Sequence, residues 1–174
     1  MPKSIHRNSA LASLVLITGL FATSCVKSID PKVLQLRNEL TAKVEPKDSI
    51  SLTDAKTVLA EEADVVLLGR VGSGDLDPFE KGKAMFVLSE APEDHGDGKG
   101  HDASECPFCK RKADEAPLAQ IEFKDPSGTP IAYGANELFG LRKGQIVVVQ
   151  GRGRYEKDTD TLLIQGTGLS LIHI

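Results

Sequence analysis

The chain has 174 residues, of which 26% are charged and only 5% aromatic, with no tryptophan and a formal net charge of −4. This acidic balance opposes a general nucleic-acid binder, which holds the phosphate backbone through excess Lys and Arg. With so few rings, the core must be mainly aliphatic, and the length suits one domain plus a short extension.

Lys3 and Arg7 precede an almost uninterrupted apolar or small-residue stretch, Ala10 to Ala22. Its length suits a secretory signal and is short for a spanning helix. The run Leu20-Phe21-Ala22-Thr23-Ser24-Cys25 resembles the bacterial lipobox, although Ala22 stands where leucine is usual. The resemblance implies a signal peptide over residues 1–24 and a lipid on Cys25. It also implies a cell-envelope location, anchored to a membrane and facing the periplasm or the exterior. An ordinary secretory signal or an uncleaved anchor is the alternative, and either still exports the domain. Loss of Lys3 and Arg7 takes the formal charge from −4 to −6.

Residues 25–50 read as a lipid-anchored tether with one helical stretch, Lys32 to Ala42, broken by Pro46-Lys47-Asp48-Ser49. Thr53 is placed to cap a helix from Asp54 to Glu61, whose apolar face is Ala55, Val58 and Leu59. A β-rich region follows. Strands are expected at Ala63 to Val71, Lys83 to Ser89, Leu118 to Phe123, Gln145 to Gly151 and Thr161 to Gln165, with Gly168 to Ile172 as an extension of the last. Asp125-Pro126-Ser127-Gly128 is a hairpin-turn signature joining the third of these to a shorter run, Thr129 to Tyr133. Asn136 to Leu141 reads as a short turn or a single helical turn.

The order of a bent first strand with Gly69-Arg70-Val71, a strand pair around Asp125 to Gly128, a Lys143-Gly144 turn and a closing strand resembles an OB-fold over residues 63–172. The expected architecture is mainly β: a small five-stranded OB-like Greek-key barrel over 51–174 with a short N-terminal helix and an inserted Cys/His loop at 91–117. The chain also resembles exported OB-fold lipoproteins of planctomycete-type bacteria, in which a His- and Cys-bearing insertion interrupts the barrel. That likeness implies a fold and a location and no activity.

Within the insertion lie His95, His101, Cys106 and Cys109. A Cys-x-x-Cys pair brings two thiolates to one ion, and two imidazoles complete a tetrahedral set of the kind Zn2+ favours, with Cu+ an alternative for soft ligands. Four protein ligands would make the metal structural. Two other readings stay open: a disulfide in an oxidising compartment, and thiol-disulfide exchange or redox sensing with Cys106 attacking and Cys109 resolving. For the latter, no βαβ unit surrounds the motif.

Lys110-Arg111-Lys112 with Arg152 and Arg154 would form a basic groove, with Tyr133, Phe139 and Tyr155 as stacking platforms for an oligonucleotide or oligosaccharide. The bland reading of these residues is a solvated helix start and a hairpin tip. Gly69-Arg70-Val71-Gly72-Ser73-Gly74 is not in the dinucleotide order and reads as a turn. The paired acids Asp158/Asp160 and Asp94/Asp97 sit in loops, and no Ser/His/Asp arrangement can be built around His173. The expectation is therefore a membrane-tethered binding or interaction protein, its partner a protein or small-molecule ligand, and not an evident enzyme.

Overall fold

A computed structural model describes residues 29–44, 46–92, 111 and 115–172. Helix α1 (Pro31–Leu40) and helix α2 (Leu52–Val58) precede β1 (Ala63–Val71), β2 (Met85–Glu90) and β3 (Leu118–Phe123). Helix α3 (Ala135–Phe139), β4 (Ile146–Glu156) and β5 (Thr161–Leu171) complete the order.

The strands close into a barrel in the order β1-β2-β3-β5-β4. Every pair is antiparallel except β3 with β5, which is parallel. The register advances on closure. From Leu88 it passes through Ala119 and Leu162 to Tyr155, whereas Val71, also opposite Leu88, donates its N–H to Gln145 O at 2.8 Å. One circuit thus shifts the register from Gln145 to Tyr155 along β4, the stagger that lets five strongly tilted strands enclose a filled interior. With α3 placed between β3 and β4 and capping the barrel, this is an OB-like fold, as the turn pattern implies.

Alternation explains most of the strands. Val65, Leu67 and Val71 of β1, Phe86 and Leu88 of β2, and Ala119, Ile121 and Phe123 of β3 face inward and are buried. Helix α3 adds Leu138 and Phe139, and the Phe139 ring tilts against Phe123 at a centroid distance of 4.8 Å. Helix α2 buries Leu52 and Ala55, with Leu59 just beyond its end. Each fully buried Leu or Phe contributes on the order of 1.5–3 kcal/mol.

Strand β4 runs further than expected, to Glu156, and β5 runs unbroken through its expected extension to Leu171. Gly151, Gly153 and Gly166 lie inside these strands, whose ladder has a register shift at Gln150/Gly151. A Cβ on Gly153 would meet Leu163 O at 2.2 Å, and one on Gly166 would meet the Phe123 ring at 2.6 Å. Only glycine permits these approaches. Conversely, Thr129 to Tyr133 is not a strand. Asp125 Oδ1 accepts from the N–H groups of Ser127 (2.9 Å) and Thr129 (3.0 Å), making a tight turn. Beyond it only a Lys124–Pro130 bridge and the Ile131 backbone bonds extend the sheet.

Helix α2 starts two residues earlier than expected. Ser51, not Thr53, is its cap, accepting from Asp54 N–H at 3.0 Å. Thr53 instead donates its N–H and hydroxyl to Glu90 Oε2, at 3.0 and 2.8 Å, tying α2 to the end of β2.

The stretch read as a spacer packs on the barrel from Pro31 onward. Val33 is buried, and Arg37 donates to Leu138 O (2.7 Å) and Glu137 O (3.0 Å) at the C-terminal end of α3. Ala42 N–H donates to Leu169 O at 2.8 Å. Ile50 donates to Val66 O and accepts from Leu68 N–H, each at 2.9 Å, along the part of the β1 edge that β2 does not reach. These segments pair edges that would otherwise offer free N–H and C=O groups to another chain.

Candidate functional site

Outside the barrel, β3, β5 and β4 present adjacent polar rows. After the register shift, β4 points Gly151 and Gly153 inward and Arg152 and Arg154 outward. On β3 the outward residues are Gln120 and Glu122, and on β5 they are Leu163 and Gln165. The register aligns Glu122 with Gln165 and Arg152, and Gln120 with Leu163 and Arg154. Together with Glu62 and Lys124 these residues line a groove of about 270 Å³.

The cations of the groove each have a carboxylate. Lys124 Nζ stands 3.1 Å from Glu122. Arg152 Nε donates to Glu62 Oε1 at 2.9 Å, with Asp64 at 3.9 Å. Arg154 lies 3.8 Å from Glu156. Such exposed pairs contribute only about 0–1 kcal/mol each to stability. Their effect on a ligand is larger, because they mix donors and acceptors over a few ångströms. Among the described residues, neither the Gln120 nor the Gln165 amide has a hydrogen-bond partner. Leu163 supplies a half-buried aliphatic patch between them.

The residues expected to form an aromatic basic groove do not converge. Arg152 and Arg154 line the groove. Tyr155 is directed to the other side of β4. Its hydroxyl donates to Asp160 Oδ1 at 2.6 Å, Lys56 Nζ lies 2.8 Å from the same oxygen, and the ammonium stands 5.5 Å from the centroid of the Tyr155 ring. Tyr133 packs beside the core and donates to Asp30 Oδ2 at 3.3 Å, near the start of α1. Phe139 is only 4% exposed, so its ring is part of the core and is not a stacking platform. The physical reason is that α3 needs a large apolar residue to plug the barrel beneath Phe123. Of the basic run, Arg111 is described and exposed.

Titration follows these contacts. Asp160 is held below its ordinary value by the hydrogen bonds from Lys56 and Tyr155. Lys56 is raised, chiefly by its hydrogen bond to Asp160. Tyr155 is raised first by hydrogen bonding to Asp160 and then by desolvation, and Tyr133 first by desolvation and then by the Asp30 charge. Asp125 is lowered by the Ser127 hydroxyl and the Thr129 N–H.

Cys25, His95, His101, Cys106 and Cys109 lie outside the described residues. Among the described residues, no group of three or more His, Cys, Asp or Glu side chains is placed to hold a metal. No described helix is long and apolar enough to cross a membrane.

Sequence reasoning missed Gln120, Glu122, Lys124, Leu163 and Gln165 as members of a site. Their signal was the polar half of the alternation in Leu118 to Phe123 and Thr161 to Gln165, which identifies outward residues without saying which strands adjoin.

No family model matches the chain, and no curated protein matches it. Among solved structures it is similar to an aspartyl tRNA synthetase from Entamoeba histolytica, with a TM-score of 0.40 and 11% identity. That alignment covers 77% of this chain and 24% of the synthetase, so the chain spans about a quarter of that protein's length. The fold assignment rests on the strand order and register described above.

Proposed function

We propose that this chain is an exported, lipid-anchored binding protein whose outer β3–β5–β4 groove takes an uncharged, hydroxyl-rich ligand of the oligosaccharide class. The observation that carries this reading is the composition of the groove. Its cations already have carboxylate partners, while two side-chain amides, Gln120 and Gln165, have none among the described residues. A polyanion entering here would meet Glu62, Glu122 and Asp64, and its phosphates would have to displace carboxylates from Lys124 and Arg152. Hydroxyl groups donate to a carboxylate and accept from its guanidinium at once, so they fit both members of each pair without separating them.

Calorimetric titration of the mature chain against neutral oligosaccharides and single-stranded oligonucleotides tests the proposal. Binding of a neutral oligosaccharide that weakens by about tenfold in Gln165→Ala, the loss of one well-placed hydrogen bond, would support it. Oligonucleotide binding that falls steeply with salt, with no oligosaccharide bound, would refute it.

The insertion supports a second part of the reading. The donor set Cys106, Cys109, His101 and His95 has the chemistry of a four-ligand structural Zn2+ site, with Cu+ the alternative for a soft-ligand set. In that role the metal would hold the insertion in shape and leave ligand binding to the barrel. Elemental analysis of protein purified under reducing and oxidising conditions tests this, with about one equivalent of zinc, lost in Cys106→Ser, as the expected result. Metal-free protein with a Cys106–Cys109 disulfide would overturn it. If that disulfide also turned over a thiol substrate, the motif would be a redox centre.

A further inference from the structure

The chain joins the barrel much sooner after Cys25 than its composition implies. Asp30 caps α1, its carboxylate accepting from Lys32 N–H at 2.8 Å, and α1 is then fixed by Val33, by Arg37 on α3 and by the bridge from Thr41 to Leu169. Only residues 26–29 separate Cys25 from that cap. Even fully extended, five residue steps reach at most roughly 18 Å. A compact domain of this length is about 35–40 Å across. If Cys25 carries a lipid, as proposed above, the barrel cannot turn freely over the membrane, and the side bearing α1 must stay beside it.

That side carries unburied aliphatic residues. Ile29, just before the cap, is 51% exposed, and Leu34, on the first turn of α1, is 42% exposed. Nothing among the described residues covers them, and Lys32 is exposed between them. Apolar side chains flanked by a lysine suit the boundary between headgroups and acyl chains. A tethered surface meets the bilayer at high effective concentration, so a weak apolar contact is enough to hold one orientation.

The opposite consequence appears along β5. The α1 contact is at Leu169, whereas Leu118, where the chain returns from the insertion, pairs with Thr161 beside the β4–β5 hairpin. Eight residues separate these points, up to roughly 26 Å along a strand.

We propose that the α1 side of the barrel docks on the bilayer surface, with Ile29 and Leu34 entering its interfacial region, and that the β4–β5 hairpin and the base of the insertion are thereby held away from it. The proposal rests on acylation of Cys25.

Because the chain contains no tryptophan, single-tryptophan variants report position cleanly. The chain, expressed with its own N-terminal segment and purified from membranes with Leu34→Trp, Ile29→Trp or Asp158→Trp, would be mixed with vesicles of phosphatidylethanolamine and phosphatidylglycerol, with and without bromine high on the acyl chains, and floated. The expected result is loss of roughly half the emission at positions 29 and 34, at interfacial depth, and none at 158. Chain that floats with the vesicles but shows no quenching at 29 or 34, or equal quenching at 158, would overturn the docking and leave the anchor intact. Chain that does not float at all would overturn acylation, and the docking with it.

Discussion

The closest backbone approach in the barrel gives the sharpest test of its register. Gly153 faces inward on β4, and a Cβ there would lie 2.2 Å from Leu163 O, 2.6 Å from Ile164 Cδ1 and 3.0 Å from Ile164 Cα. Two of these neighbours are backbone atoms of the paired strand, so no rotamer change relieves the clash. The strands must part by about 1 Å. Forcing an extra carbon into a packed site costs typically 1–3 kcal/mol, and a stretched ladder hydrogen bond adds about 1 kcal/mol. Gly153→Ala should therefore destabilise the mature chain by about 2–4 kcal/mol. Gly128→Ala is the control, since its added Cβ meets nothing within 4 Å and its cost arises only from φ +83°. That cost is about 1–2 kcal/mol. Urea unfolding followed by circular dichroism reads both, and a 3 kcal/mol loss lowers the midpoint by roughly 1.5 M at an m-value near 2 kcal/mol/M. A Gly153→Ala protein within about 0.5 kcal/mol of the parent, the range of an ordinary surface change, would mean that β4 and β5 are not paired as described.

Three further outcomes follow from the same contacts. Ser51→Ala should cost about 1 kcal/mol through loss of the α2 cap, measured by the same unfolding assay, and a Ser51→Ala variant as stable as the parent would remove Ser51 from that role. Phe139→Ala should cost about 3–5 kcal/mol as a core truncation, and unchanged unfolding with altered ligand affinity would restore it as a binding platform. The Asp160 cluster predicts stability limited at both ends of the pH scale. Because folding lowers the Asp160 pKa from 3.8, its contribution is full above that value and lost as pH falls through the folded value. Because folding raises Lys56 above 10.5 and Tyr155 above 10.0, their contribution is full below those values and lost as pH rises through the folded ones. Asp160→Asn should flatten both limbs in thermal unfolding scans, though only slightly for so exposed a cluster. Unchanged limbs in Asp160→Asn would place the titrating groups elsewhere.

Local chemistry is what made much of the fold legible. The alternation in Ala63 to Val71 and Leu118 to Phe123 marks both strands to the residue, because each has one face in an apolar core. The signals that misled were also local. Gly151 closes the expected fourth strand, yet it lies inside β4 and serves a close approach to β5 that no single segment encodes. Thr53 has the chemistry of a helix cap, and its hydroxyl is used for a contact to Glu90 that lies 37 positions away. Pro46 to Ser49 has linker composition, but Ile50 directly after it completes an unpaired edge of β1.

The candidate site was hidden for a related reason. Arg152 and Arg154 stand out as charges in a hairpin, and that prominence suggested rings beside them as partners. Closure supplies other neighbours. The parallel pairing of β3 with β5 sets Glu122 beside Gln165, and antiparallel pairing sets Gln165 beside Arg152. Neither β3 nor β5 carries an outward aromatic residue in this region, so the face is one of amides and matched charges. The expected stacking groove needed Tyr155 and Arg154 on one face, which adjacent positions of a regular strand forbid, since successive side chains point to opposite sides. That constraint was available from the sequence once Arg154 and Tyr155 were placed on the same strand. It follows that a ligand dependent on both residues would contradict the β4 geometry itself, and not only the position of the groove.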